Sequence, residues 1–203
     1  FSDTHGDAER MGISSAEWPL FGLLWPSGAY LAARMALRPV CLGERIMELG
    51  CGLALASLVG HRRGADVTAS DCHPLAPEFL RENLRLNELL PMKYLHGHWG
   101  TLAEQAGAAG ETPAPFDLII GSDLLYDRGA AAALAAFIEG HAAPAAEVWI
   151  VDPDRGNRPA FHRHMTALGF HGHQERLSAP ASIGVAAYKG RVLIYQRAGR
   201  SPM

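Results

Sequence analysis

The sequence predicts an α/β fold: a mostly parallel sheet, helices on both faces, and an antiparallel last strand. Three observations carry that expectation. Strand-like apolar runs alternate with helix-like stretches five times, the pattern that feeds a parallel sheet. The run Leu118–Ile120 is wholly apolar, as a strand covered on both faces is. Two late strands follow with no helix between them, which makes an antiparallel, hairpin-like end.

Bulk properties fit one domain. The chain has 203 residues, 48% of them hydrophobic and 19% charged, enough to bury a full core without covalent staples. A formal charge of −3, with no basic block, argues against a nucleic-acid binder. Cys41, Cys51 and Cys72 are scattered and lack metal-ligand spacing, which points to a reducing, cytoplasmic compartment. No apolar run reaches membrane-spanning length. The chain opens on Phe1 with polar residues and no signal-like core, and the missing initiator methionine suggests a trimmed or processed chain. Nothing self-complementary marks an interface, so a monomer is expected.

Taken in order, residues 1–17 are polar and weakly periodic and read as a mobile tail, with a lid over a site as the alternative. An N-terminal helical segment spans 18–43. Within it Pro26 and Ser27 open a helix through Leu37. Trp25 stands just before that start; composition alone makes it core packing. Residues 44–198 form the Rossmann-like core. Strand one lies at 45–49, and after a glycine turn a helix covers about 52–63. Ala65–Asp71 is strand two. An amphipathic helix follows from Pro77 to about Leu89. Met92–Leu95 is strand three, and 101–115 is loop-like. Leu118–Ile120 is strand four, closed by Gly121 and Ser122. The alanine-rich stretch 129–139 is a good helix former. Strand five covers 147–151 and ends in Asp152-Pro-Asp-Arg155. Pro159 starts a helix to about Leu168, and Gly169-Phe170 turns into strand six near 171–177. A linker with Pro180 and Gly184 leads to the last strand at 191–196.

Chemistry concentrates where strands one, two and four end. Gly50 and Gly52 permit unusual dihedrals and leave room for a ligand against the main chain. The next helix presents free N–H groups at the same spot. A dinucleotide fingerprint needs a third glycine where Leu55 stands, and a P-loop needs Gly-Lys-Ser/Thr, which is absent. Glu48 would repel a phosphate and suits a cationic or zwitterionic ligand. Asp71 ends strand two, where a carboxylate can accept from both hydroxyls of a ribose. Its alternative role is a cap on the helix before which Pro74 stands. Asp123 and Tyr126 lie at the carboxyl end of a central strand, at the switch point where open α/β sheets bind ligands. Asp123 has the alternative of a helix N-cap. His96/His98, His162/His164 and His171/His173 form H-x-H pairs, but no carboxylate or Cys cluster completes a metal site. No metal is expected.

Four segments carry a family resemblance: Leu24-Trp-Pro-Ser27, Glu48-Leu-Gly-Cys-Gly52, Trp99 after strand three, and Ser122-Asp-Leu-Leu-Tyr126. In this order they resemble the class I, seven-strand S-adenosylmethionine-dependent methyltransferases. More specifically they resemble the family-16 protein-lysine methyltransferases, whose relatives include the electron-transfer-flavoprotein lysine methyltransferases. The resemblance spans about 19–196. It implies S-adenosylmethionine as cofactor and S-adenosylhomocysteine as product. It puts Glu48, Gly50 and Gly52 by the methionine part, Asp71 at the ribose and Trp99 at the adenine, with Cys51 and Cys72 also among the cofactor-binding residues. Trp25 and Ser122 would flank the donor, while Asp123 and Tyr126 would face an incoming amine. His98 departs from the acid that relatives often carry before the tryptophan. Asp152-Pro-Asp-Arg155 is similar to a turn in the flavoprotein-directed relatives without matching it. The expected activity is lysine methylation of a protein. The alternatives are a small-amine methyltransferase of the nicotinamide type, a NAD-dependent oxidoreductase and a non-catalytic binding module.

Overall fold

The computed structural model describes residues 6, 10, 13, 18–97, 114–126, 129–181 and 186–199. Seven strands form one sheet: β1 (Arg45–Leu49), β2 (Asp66–Asp71), β3 (Lys93–His96), β4 (Phe116–Ser122), β5 (Ala142–Asp152), β6 (His171–Ala179) and β7 (Tyr188–Arg197). Their order across the sheet is β3-β2-β1-β4-β5-β7-β6. β1 through β5 pair in parallel, and β7 is antiparallel to both β5 and β6. The progression of the chain across the sheet reverses between the parallel neighbours β1 and β4, so their carboxyl ends open the crevice expected of such sheets.

The helices among the described residues are α1 (Pro26–Leu37), α2 (Leu55–Arg62), α3 (Ala76–Leu86), α4 (Ala130–His141) and α5 (Arg158–Ala167). Period-two alternation along each central strand builds a core on each face. Ile46, Leu118, Ile120, Trp149 and Val151 pack against Leu31 and Met35 of α1 and Ala56 of α2. Met47, Ile119, Val148 and Ile150 point the other way, onto Leu134 and Ile138 of α4 and Phe161 and Met165 of α5. Both faces are covered, so these strands carry almost no polar alternate. α3 extends the first face, with Leu80 and Leu84 on Ala69 and Leu58.

Several boundaries differ from the sequence reading. α1 runs Pro26–Leu37 as expected, with Pro26 at its first turn. α2 starts at Leu55 rather than 52, because Ala54 sits at φ 60° and its N–H bonds to the Cys51 carbonyl in a tight turn. β5 begins at Ala142, five residues early. Its leading Ala-Ala-Pro-Ala-Ala has little intrinsic strand preference, and pairing with β4, across an irregular register, recruits part of it. β7 starts at Tyr188, since β6 supplies a partner along its whole length. The expected tail at 1–17 lies outside the described residues apart from Gly6, Arg10 and Ile13. The 101–115 loop is outside them up to residue 113.

Candidate active site

Every residue singled out for the site except Trp99 lines one cavity of about 460 Å³ at the carboxyl edge of β1, β2 and β4. Trp99, like His98, lies outside the described residues. The volume falls in the range of small-molecule sites.

The first end of the cavity is framed by Glu48, Gly50, Gly52 and Asp71. Gly50 and Gly52 take φ of 57° and 50°, which only glycine adopts freely. The close approach at Gly52 comes from the chain itself: a Cβ there would lie 2.7 Å from the Phe21 carbonyl oxygen. The Phe21 carbonyl is thus a second reason for glycine at 52, beside the cavity that the residue lines. Phe21 in turn stacks on His73 at 3.7 Å, with Trp18 on the same ring at 4.3 Å. Phe21, His73 and Trp18 were not among the expected site residues, and Phe21 and His73 line the cavity. Their contacts join distant parts of the chain, so no spacing reveals them.

Glu48 lines the cavity and is also tied into the fold. It is 4% exposed, and its Oε2 accepts the Ser57 N–H at 2.7 Å and the Ser57 hydroxyl. α2 has no side-chain cap of its own at Ala54. Glu48 therefore caps α2 from the preceding strand, satisfying an orphan amide at the positive end of the helix. Burial pushes its pKa up to about 7. A carboxyl raised by burial and engaged with α2 is a weaker attractor of a cation than a solvated carboxylate. Asp71 is held in the same manner. Its Oδ2 accepts the Gly52 N–H and its Oδ1 the His73 N–H, both at 2.8 Å. It is not the cap of α3, whose N-terminal flank is Leu75; it clasps the ends of β1 and β2 together. Each oxygen keeps a lone pair for one further donor. Cys51 is buried, and burial pushes its thiol well above the usual range.

The second end is built around Asp123. Its φ of 61° is left-handed, a conformation that Asp tolerates better than most residues. Three contacts hold it there. Its N–H donates to the Val151 carbonyl at 3.0 Å. Its carbonyl accepts from Arg155 Nη1 at 3.1 Å, and its Oδ1 pairs with the same nitrogen at 3.1 Å. Oδ2 is buried and has no well-formed hydrogen bond among the described residues. Burial raises the Asp123 pKa, opposed by Ser27 and Arg155. Asp123 is thus not a helix cap. Ser27 Oγ shares a 2.9 Å hydrogen bond with the Tyr188 hydroxyl, so the Trp-Pro-Ser segment packs against β7. Tyr126 lines the cavity and is 60% exposed at its mouth. Trp25 lines it too, its indole N–H donating to the Leu20 carbonyl at 3.0 Å. It is 38% exposed, not the core residue composition implies; Trp18 is buried instead.

A family model described as lysine methyltransferase matches residues 23–165, which include α1, the glycine turn and the Asp123 loop. The chain belongs to the lysine methyltransferase family. Membership sets aside the oxidoreductase alternative. Among similar proteins, the electron transfer flavoprotein beta subunit lysine methyltransferase of Xenopus laevis is 30% identical over 111 residues. That stretch covers 54% of this chain and 42% of that protein. Histone-arginine methyltransferase METTL23 of Rattus norvegicus is 28% identical over 108 residues, 51% of this chain and 46% of the relative. The chain spans about half the length of the curated relatives it matches. A crystal structure of a methyltransferase from Pyrococcus furiosus has a TM-score of 0.66 at 18% identity, over 87% of this chain and 85% of that one. This last likeness is one of fold.

Proposed function

We propose that this chain transfers a methyl group from S-adenosylmethionine to the amine of a lysine side chain in a protein. The observation that carries the reading is the shared cavity. One end holds a glycine turn beside Asp71; the other holds a buried carboxylate oxygen, Asp123 Oδ2, with an open acceptor position. The first end suits the nucleoside and amino-acid parts of the donor. Gly50, Cys51 and Gly52 would cradle the methionine part, and Asp71 and Cys72 would take the ribose end with the lone pairs left on the carboxylate. Trp25 and Ser122 would flank the donor, and Trp99 would border its adenine. Glu48 would act indirectly, by fixing the start of α2 against the cavity floor.

When bound, the donor supplies a methyl carbon activated by a sulfonium. The chain's own work is alignment and proton management. Asp123 Oδ2 accepts a hydrogen from the amine and fixes the direction of its lone pair. Tyr126 walls the entrance, where loss of water lowers a lysine's pKa from ~10.4. The reading includes a single methyltransferase domain acting as a monomer on a protein partner, without nucleic-acid or membrane binding. The net charge of −3 supports it, and among the described residues no helix is long and apolar enough to cross a membrane. A cytoplasmic setting is supported by Cys41, Cys51 and Cys72, which form no disulfide among the described residues.

Incubation with isotope-labelled S-adenosylmethionine and a cell lysate tests the proposal. Label should enter protein and map by mass spectrometry to lysine. Label on arginine, or only in the small-molecule fraction, would replace the acceptor with a guanidine or a free amine.

A further inference from the structure

The turn between β5 and α5 reaches across to the loop after β4. Arg155 Nη1 holds the Asp123 carbonyl and Oδ1 together. Asn157 Nδ2 donates to the Leu125 carbonyl at 2.9 Å. The turn is itself fixed, because the Arg155 N–H donates to Asp152 Oδ1 at 2.8 Å. Arg155 lines the cavity and is about one-third exposed.

We propose that Arg155 is a positioning residue for methyl transfer: it locks Asp123 in place, and its fixed positive charge keeps that carboxylate from trapping the incoming amine as an ammonium. This inference rests on the methyl-transfer reading. In the transfer, the nitrogen lone pair forms the N–C bond as the C–S bond breaks toward sulfur. An ammonium has no lone pair, so its proton must first leave for water at the cavity mouth. A lone buried carboxylate would oppose that loss, since a nearby anion stabilises the charged amine. A guanidinium stays charged throughout the working range. Paired to Oδ1, it leaves Oδ2 to orient the amine while the pair carries little net charge. A neighbouring cation favours a neutral, nucleophilic amine.

The groups facing Asp123 come from three elements: Ser27 on α1, with Tyr188 of β7 behind it, and Arg155 and Asp152 at the end of β5. Asp152 is fully buried, with Arg158 Nε 3.6 Å from its Oδ1. Arg155 is the cation that pairs with Asp123 among the described residues.

Two variants and two readouts test the role. Carbon-13 carboxyl titration of the isolated protein, with Asp123 assigned through Asp123→Asn, reads the coupling without donor or substrate. Arg155→Met should raise the Asp123 midpoint by about one pH unit or more, and Arg155→Lys should restore it. Methyl transfer from S-adenosylmethionine to the lysate proteins that wild type labels is then measured against pH. The acid limb should move to higher pH in Arg155→Met and return in Arg155→Lys. A purely structural Arg155 would lower the rate equally at all pH and leave the limb in place. Melting temperature and S-adenosylhomocysteine affinity confirm that each variant is folded. An unmoved Asp123 titration or an unmoved limb overturns the role of Arg155 alone. A wild-type chain that labels nothing overturns methyl transfer and this role with it.

Discussion

Glu48 and Asp71, at the ends of β1 and β2, are held by backbone amides, whereas the carboxylate of Asp123, just after β4, is held by the Arg155 guanidinium. Glu48 and Asp71 receive the N–H groups of Ser57, Gly52 and His73. Asp123 keeps one buried oxygen, Oδ2, without a hydrogen-bond partner among the described residues. Amides are fixed by the fold and leave a rigid frame. Guanidinium partners sit on side chains and leave an acceptor that a ligand's donor can fill. An unfilled buried acceptor costs about 1–3 kcal/mol, which folds tolerate where binding supplies the missing donor. Along one sheet edge, the β1–β2 end is therefore built to hold a shape and the β4–β5 end to receive a hydrogen.

Asp123→Ala should break the second end most severely. It removes the acceptor and leaves Arg155 without its partner; labelled-methyl transfer should fall by about 100-fold or more, with donor affinity kept. Equal loss of both would move Asp123 to the donor's side of the cavity. At the first end, Gly52→Ala forces an L-residue to φ 50° and drives a Cβ to 2.7 Å from the Phe21 carbonyl. A left-handed residue costs roughly 1–2 kcal/mol, and the clash adds to it. At about 2–4 °C per kcal/mol for this size, calorimetry should find a drop of several degrees; an unchanged melt would mean Phe21 is not held there.

Glu48 sharpens the contrast through pH. Its carboxyl is raised from 4.5 to about 7 by burial. The folded chain thus holds this proton more tightly than the unfolded chain between those values. Its stabilising contribution is complete below pH 4.5 and is lost as pH rises through 7. Glu48→Gln keeps an acceptor for Ser57 and removes the titration. Urea melts at pH 5 and pH 8 should show the variant gaining on wild type by roughly 1–3 kcal/mol. Parallel behaviour would mean the carboxyl is not buried as described. The smallest effect is expected of Tyr126→Phe. It keeps the aromatic wall and loses a hydroxyl at an exposed position, so turnover should fall about tenfold or less with donor affinity unchanged.

Much of this architecture is legible in the amino-acid sequence. Short apolar runs, a glycine turn and a switch-point aspartate are local signals, and they located the sheet, its parallel body, its antiparallel end and most of the cavity lining. What escaped was non-local. The Glu48–Ser57 cap looks like a ligand contact in sequence, because nothing in the string says that Ala54 leaves α2 uncapped. Arg155 stands 32 positions from Asp123, and only the pairing of β4 with β5 brings the two loops together. The Phe21–His73 stack needs the N-terminal segment folded back over Gly52. The early start of β5 through alanine and proline shows pairing overruling propensity.

The division of labour along the edge has one direct test: calorimetric titration of S-adenosylhomocysteine into Asp71→Asn and Asp123→Asn. Asp71→Asn should weaken binding about tenfold or more, since an anionic acceptor for ribose hydroxyls is lost, while Asp123→Asn should stay within about twofold of wild type. The reverse order, or wild type failing to bind, would contradict the assignment of the donor to the β1–β2 end.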